Sequence, residues 1–181
     1  MQVIEDKNCK LVSSNYGHSY YLYTPSFFHL YWKYDTNTIG PEFRNTLSHK
    51  IHQMIYLIFG GYYILYAVDD DKVLGYLIFT RSNNLRVENT TNKDLYTIYV
   101  WTYPEYRNKG IAQSLFKVML NELNFKYDYS YHTIKNDNIQ SIAVAKRLGY
   151  EELYEVIKAG ILNTIKKEPH GEWKLYRIKG K

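Results

Sequence analysis

The sequence predicts a single α/β domain, and three observations carry that prediction. Residues 94–102 are β-branched and aromatic and read as a central strand. That strand passes through a tight basic turn into residues 111–124, where Leu115, Phe116, Met119, Leu120 and Leu123 recur at helical spacing. A further strand-like run at 127–134 leads into a second helix that ends near residue 148. The chain has 181 residues, enough for one domain with a real core and short for two.

From the N-terminus, residues 1–12 are weakly patterned and have room for a first strand. Residues 13–34 are dense in aromatics. Thr24 as N-cap, Pro25 in the first turn, and Phe27, Phe28, Leu30, Tyr31 and Tyr34 at helical spacing predict a short helix over 25–34. After a loop at 36–40, Pro41 starts a longer helix. Its apolar face is Phe43, Leu47, His49, Ile51, Met54, Ile55 and Ile58, and Gly60 and Gly61 end it.

Residues 62–68 and 73–81 read as strands joined by the polar loop Asp69, Asp70 and Asp71. No further ligand pattern surrounds those carboxylates, so they read as a solvated turn rather than a metal site. Residues 82–93 are Asn-rich and read as a loop or a loosely ordered excursion. In 127–134, Tyr127, Tyr129, Tyr131 and Thr133 alternate with Asp128, Ser130, His132 and Ile134. Asn136, Asp137 and Asn138 supply a turn with N-cap candidates. The helix that follows buries Ile139, Ile142, Ala145 and Leu148, carries Lys146 and Arg147 in its last turn, and stops at Gly149. The tail holds strands at 151–157 and 173–178, with a turn at Pro169, His170 and Gly171 before the second.

Composition narrows the function classes. The net charge of +5 is mild and suits an acidic small-molecule partner. No dense Lys/Arg tract marks a nucleic-acid footprint, so nucleic acid is not the expected partner. The 21 Tyr residues read either as a compositional habit of the source or as an aromatic binding surface. Cys9 is the one cysteine, which excludes an internal disulfide. Glu5, Asp6 and Lys7 stand where a signal peptide would need an apolar core. The apolar stretch 54–68 is split by Gly60 and Gly61 and is shorter than the ~20 residues of a spanning helix. The expectation is a cytoplasmic protein without a membrane segment. Asn89-Thr90-Thr91 matches the glycosylation triplet by chance in that setting. His49 and His52 share a helix face but have no third ligand nearby, so no metal is expected. Lys109-Gly110-Ile111 lacks the Gly-Lys-Ser/Thr order of a nucleotide loop.

The chemistry concentrates between Arg107 and Ala112. A strand, a basic turn and a helix start make an anion site, because the first helical N–H groups have no intrahelical partner and the helix dipole is positive there. Gly110 lets backbone approach a ligand closely, and Ala112 is the next smallest choice. The stretch Pro104-Glu105-Tyr106-Arg107-Asn108-Lys109-Gly110-Ile111-Ala112 resembles the acetyl-CoA pyrophosphate loop of the GNAT superfamily of N-acetyltransferases, whose pattern is Arg or Gln, two residues, Gly, one residue, Gly or Ala. A second block, Asn138-Ile139-Gln140-Ser141 running to Leu148-Gly149-Tyr150, is similar to the family's later helix. The resemblance covers about residues 73–150.

The resemblance implies an α+β domain with a mixed, mostly antiparallel sheet flanked by helices. It implies acetyl transfer from acetyl-CoA to a primary amine by direct attack in a ternary complex. Backbone groups of Arg107, Asn108, Lys109, Gly110, Ile111 and Ala112 would hold the pyrophosphate. Those of Val100, Trp101 and Thr102 would bind the pantetheine arm and polarise the thioester. Asn138 and Ser141 would contact the cofactor, although Asn138 also reads as a plain N-cap. Asp94 and Tyr96 stand where the family often keeps its base, and Asp94 equally reads as a polar residue at a strand start. Ala145 departs from the family, which often carries a Tyr there to protonate the leaving thiolate. The aromatic N-terminal third is where the family builds its acceptor site. Rival readings are a CoA-binding protein without turnover, a Tyr-rich interaction module, and transfer of a longer acyl chain. The acceptor, a small molecule or a protein amine, is left open. A C-terminal edge strand would allow a homodimer.

Overall fold

The computed structural model describes residues 7–30, 47–70, 72–160 and 163–180. Its strands are β1 (Cys9–Ser13), β2 (Ser19–Tyr23), β3 (Tyr63–Asp69), β4 (Lys72–Arg81), β5 (Leu95–Thr102), β6 (Tyr129–Lys135), β7 (Glu151–Ala159), β8 (Thr164–Lys167) and β9 (Trp173–Lys179). The helices are α1 (Leu47–Ile58), α2 (Ile111–Asn121) and α3 (Ile139–Arg147). The strands hydrogen-bond in the order β1-β2-β3-β4-β5-β6-β9-β7-β8. The β5–β6 pair is parallel, while β1–β2, β2–β3, β6–β9, β7–β8 and β7–β9 are antiparallel. This is the mixed, mostly antiparallel sheet with helices that the sequence predicts. The chain forms two compact units, residues 1–78 with 99–123 and residues 79–98 with 124–181.

In the first unit, β1 and β2 form a hairpin turned by Tyr16 (φ 58°) and Gly17 (φ 80°). Strand β2 pairs β3 from Ser19↔Val68 to Tyr23↔Ile64. Residues Ile64 to Val68 are buried without alternation, as a strand covered on both faces requires. Helix α2 lies against β3 and buries Leu115, Phe116, Val118 and Met119. Its predicted end at residue 124 is too late, and the helix stops at Asn121.

Two N-terminal expectations are corrected here. The helix predicted over 25–34 is absent from its described part. Ser26 and His29 exchange both backbone hydrogen bonds, at 2.9 and 3.0 Å, and the Tyr23 hydroxyl donates to His29 O at 2.8 Å. That closed turn places Phe28 at its tip, 92% exposed, and residues 31–34 lie outside the described residues. The longer helix is present over Leu47–Ile58 and ends as predicted, with Gly60 and Gly61 at positive φ and Gly61 N–H donating to Tyr56 O at 3.0 Å, while its expected start at Pro41 lies outside the described residues. Its apolar stripe, however, faces outward: Leu47, Ile51, Met54 and Ile58 are exposed. Gln53 is buried instead, with the Tyr62 hydroxyl 3.4 Å from Gln53 Oε1 and 3.3 Å from Leu30 O. The side chains of His49 and His52 lie outside the described residues.

In the second unit, β9 lies between β6 and β7, so the C-terminal strand is interior and β8 is the edge. This overturns the expected C-terminal edge. Strand β8 also orders the stretch after β4, which is pinned rather than loose. Ile165 N–H donates to Arg86 O (2.8 Å), Glu88 N–H to Ile165 O (3.0 Å), and the Thr164 hydroxyl to Leu85 O (2.7 Å). Helix α3 buries Ala145, and Gly149 (φ 87°) ends it in the left-handed stop. Ile139, expected in its core face, is 70% exposed, because it occupies the first helical position next to the turn.

Candidate functional site

The exit from β5 is anchored before the loop begins. Tyr103 N–H donates to Leu74 O at 3.1 Å. Pro104–Tyr106 form one 3-10 turn, closed by Tyr106 N–H to Tyr103 O (2.9 Å) and Arg107 N–H to Pro104 O (3.3 Å). Asn108 (φ 61°) and Gly110 (φ 80°) then take left-handed conformations, which Asn tolerates and Gly adopts freely. Gly110 is the N-cap of α2 and has no side chain to cap with. Its carbonyl accepts the first helical bond, from Ser114 N–H at 2.9 Å.

The consequence is a run of unused donors. The N–H groups of Asn108, Lys109, Gly110, Ile111, Ala112 and Gln113 have no protein acceptor among the described residues. Residues 107–110 are exposed, and a Cβ added to Gly110 would meet nothing within 4 Å. The loop part of this run is thus open to solvent at the positive end of a helix dipole, while Ile111 is buried and Ala112 and Gln113 are half-buried. The sequence motif stops at Ala112, whereas the run of donors extends to Gln113.

Two cations flank the loop, each laid on an aromatic ring. The Arg107 guanidinium stands 4.9 Å above the Trp101 ring, and its Nε donates to Thr102 O at 3.3 Å. Lys109 Nζ lies 5.4 Å over Tyr106. Neither makes an ion pair among the described residues, so the local charge stays positive.

Val100, Trp101 and Thr102 are half-buried at the end of β5. Trp101 stacks on Tyr99 with 6.3 Å between centroids and 10° between planes. Tyr76 contacts both Tyr99 (6.1 Å) and Tyr103 (6.5 Å). These rings fix the strand end that carries the expected pantetheine contacts. Gly75 completes the set and was not singled out by sequence: its position is packed against Trp101 O, Thr102 Cα and Ile111 Cγ2. A lone Gly inside the strand run 73–81 was the available signal.

The remaining candidates belong to the second unit. Asp94 lies just before β5, 5% exposed. Its Oδ1 accepts from Tyr129 N–H (3.1 Å), and its Oδ2 from Thr91 N–H (3.0 Å) and the Thr91 hydroxyl (3.4 Å). The Tyr96 hydroxyl shares a 2.9 Å hydrogen bond with Thr133 Oγ1. Both groups are thus engaged in holding the β5–β6 strand start. Beside them His132 is fully enclosed, and burial lowers its pKa to about 4, so it is neutral at pH 7. Burial raises the Tyr150 hydroxyl above the usual tyrosine range, and that group pairs with Ser130 Oγ at 3.0 Å. Asn138 caps α3, its Oδ1 accepting from Ser141 N–H at 3.1 Å. The structure therefore groups Val100–Thr102 with Arg107–Ala112 in the first unit, and Asp94, Tyr96, Asn138 and Ser141 in the second.

Residues 24–150 match the model of the acetyltransferase (GNAT) family. No curated protein matches the chain. Among solved structures, the fold is similar to an acetyltransferase from Salmonella typhimurium that modifies the N-terminal serine of ribosomal protein L7/L12. The identity is 13%, 95% of this chain and 100% of that chain are covered, and the TM-score is 0.60. It is similar to an N-acetyltransferase from Staphylococcus aureus Mu50, at 14% identity, 88% and 98% coverage and a TM-score of 0.58. It is also similar to the microcin C7 self-immunity acetyltransferase MccE, solved with acetyl-CoA and AMP, at 20% identity, 88% and 92% coverage and a TM-score of 0.57. No helix among the described residues is long and apolar enough to cross a membrane.

Proposed function

We propose an activity from one premise: the chain belongs to the acetyltransferase (GNAT) family. The reading is transfer of an acetyl group from acetyl-CoA to a primary amine. The observation that carries it is the run of six N–H donors from Asn108 to Gln113 without a protein acceptor among the described residues. A pyrophosphate offers several anionic oxygens in a small volume, which matches closely spaced donors at a helix start better than a neutral ligand does. The fold similarity to MccE, which holds acetyl-CoA, supports the same ligand. Asn138 Nδ2 and Ser141 Oγ are the groups through which the second motif would touch the cofactor, since Asn138 Oδ1 is engaged as the cap.

In this reading the amine nitrogen attacks the thioester carbonyl directly. A C–N bond forms, the C–S bond breaks, and its electron pair leaves on sulfur as the CoA thiolate. Backbone N–H at the end of β5, around Val100, Trp101 and Thr102, stabilises the developing oxyanion without having to reorganise. Asp94 and Tyr96, the sequence candidates for the base, are bound to their neighbours, so the amine's proton goes to solvent. Ala145 offers no acid, and a thiol pKa near ~8.5 lets the thiolate leave unassisted.

The test is release of CoA thiol from acetyl-CoA with a panel of amines: protein N-terminal peptides, lysine peptides, polyamines, aminoglycosides and amino sugars. The reading expects saturable release matched mole for mole by acetylated amine with one class. Tight acetyl-CoA binding with no turnover on any class would instead make this a CoA-binding protein. No binding by the folded chain would remove the cofactor assignment altogether.

A further inference from the structure

Gly75 has an ordinary φ, so backbone freedom does not explain a glycine in the buried body of β4. Space does. A Cβ built there would lie 2.5 Å from Trp101 O, 3.2 Å from Thr102 Cα and 3.3 Å from Ile111 Cγ2. The first contact is far inside van der Waals range, and its partner is a backbone carbonyl that cannot rotate away. Gly110 is the opposite case, since its φ demands glycine and its Cβ position is open.

We propose that Gly75 is a positioning residue for the acetyl-CoA site, an inference that rests on the reading above. Its three neighbours are the two β5 residues whose backbone would take the pantetheine arm and the first residue of α2, whose N–H would take the pyrophosphate. Gly75 therefore sets the spacing between the two halves of one ligand's binding surface. Leu74 O, adjacent in sequence, holds Tyr103 N–H at 3.1 Å, so β4 cannot slide away to make room for a side chain without releasing the loop anchor. A β-carbon at position 75 would displace the Trp101 carbonyl and crowd Thr102 Cα and the Ile111 side chain.

The experiment compares Gly75→Ala with Val68→Ala, which trims a buried side chain of β3 outside the proposed site residues. Steady-state kinetics are run with acetyl-CoA and the best amine found, at a temperature where circular dichroism shows each variant folded. Gly75→Ala is expected to raise KM for acetyl-CoA about tenfold and lower kcat, while KM for the amine stays within about twofold; this corresponds to about 1.4 kcal/mol of lost cofactor binding. Val68→Ala is expected to keep both KM values. A folded Gly75→Ala with wild-type KM for acetyl-CoA overturns the inference and leaves the cofactor assignment intact. So does a Gly75→Ala that never folds, because the glycine would then serve the whole sheet. Absence of acetyl-CoA binding by the wild type removes both readings together.

Discussion

Helices α2 and α3 both begin after a strand and a tight turn, and their first N–H groups are treated in opposite ways. At α3, Asn138 Oδ1 accepts from Ser141 N–H at 3.1 Å and closes the helix start on itself. At α2, the N-cap is Gly110, which has nothing to offer, and six consecutive N–H groups point away from any protein acceptor among the described residues. A side-chain cap is worth about 1 kcal/mol, so a helix start without one costs stability unless something else accepts. The difference separates two motifs that look equally functional in sequence. At one helix start a side chain satisfies a backbone donor, and at the other the donors are left to the anion we propose.

The comparison breaks most sharply at Gly110. Gly110→Glu puts a side chain on a φ of 80° and a carboxylate among the donors. Acetyl-CoA affinity, read by calorimetric titration, is expected to fall at least about 100-fold, or about 2.7 kcal/mol. Wild-type affinity in that variant would mean the ligand goes elsewhere.

Asp94 tests whether the second unit is built for folding rather than chemistry. Removing a buried carboxylate that satisfies three donors leaves those donors unpaired. Asp94→Ala should cost about 2 kcal/mol in denaturant unfolding, with acetyl-CoA KM little changed. Full stability with lost turnover would return Asp94 to the role of base.

His132 gives the same unit a pH signature. Its folded pKa, about 4, lies below the unfolded value near 6.5, so the unfolded chain binds the extra proton between them. Stability should therefore fall as pH drops from about 6.5 towards about 4, by at most about 1.4 kcal/mol per pH unit. Denaturation midpoints of wild type and His132→Gln across that range check it, and the variant should lose this slope.

The smallest effect is expected at Asn138. Asn138→Ala should cost about 1 kcal/mol of stability, and acetyl-CoA affinity should stay within about threefold. A loss comparable with that of Gly110→Glu would erase the distinction between the two helix starts.

Much of this was legible in the sequence, for identifiable reasons. Strand β5, the turn and α2 carry strong periodicity and a local backbone requirement at Gly110, so both fold and loop could be read there. Asn138 and Gly149 were readable because caps and stops are short-range. What failed depended on tertiary context. The Ser26–His29 turn overrode a helical spacing of aromatics, because a side chain from β2, Tyr23, holds His29 O. The apolar stripe of α1 was visible, but the burial of Gln53 beside Tyr62 in place of that stripe is something no periodicity reveals. Strand β8 is only four residues and half lysine, too short to outweigh its polarity. Gly75 was an ordinary glycine until Trp101 and Ile111 were seen against it.

The central claim is that the donors from Asn108 to Gln113 bind the cofactor's pyrophosphate, and amide NMR reads those donors directly. Acetyl-CoA is titrated into the 15N-labelled protein and each amide proton followed. The account predicts that the amides of residues 108–113 shift most and saturate together at one affinity. Saturable binding that leaves those six amides unmoved would contradict it.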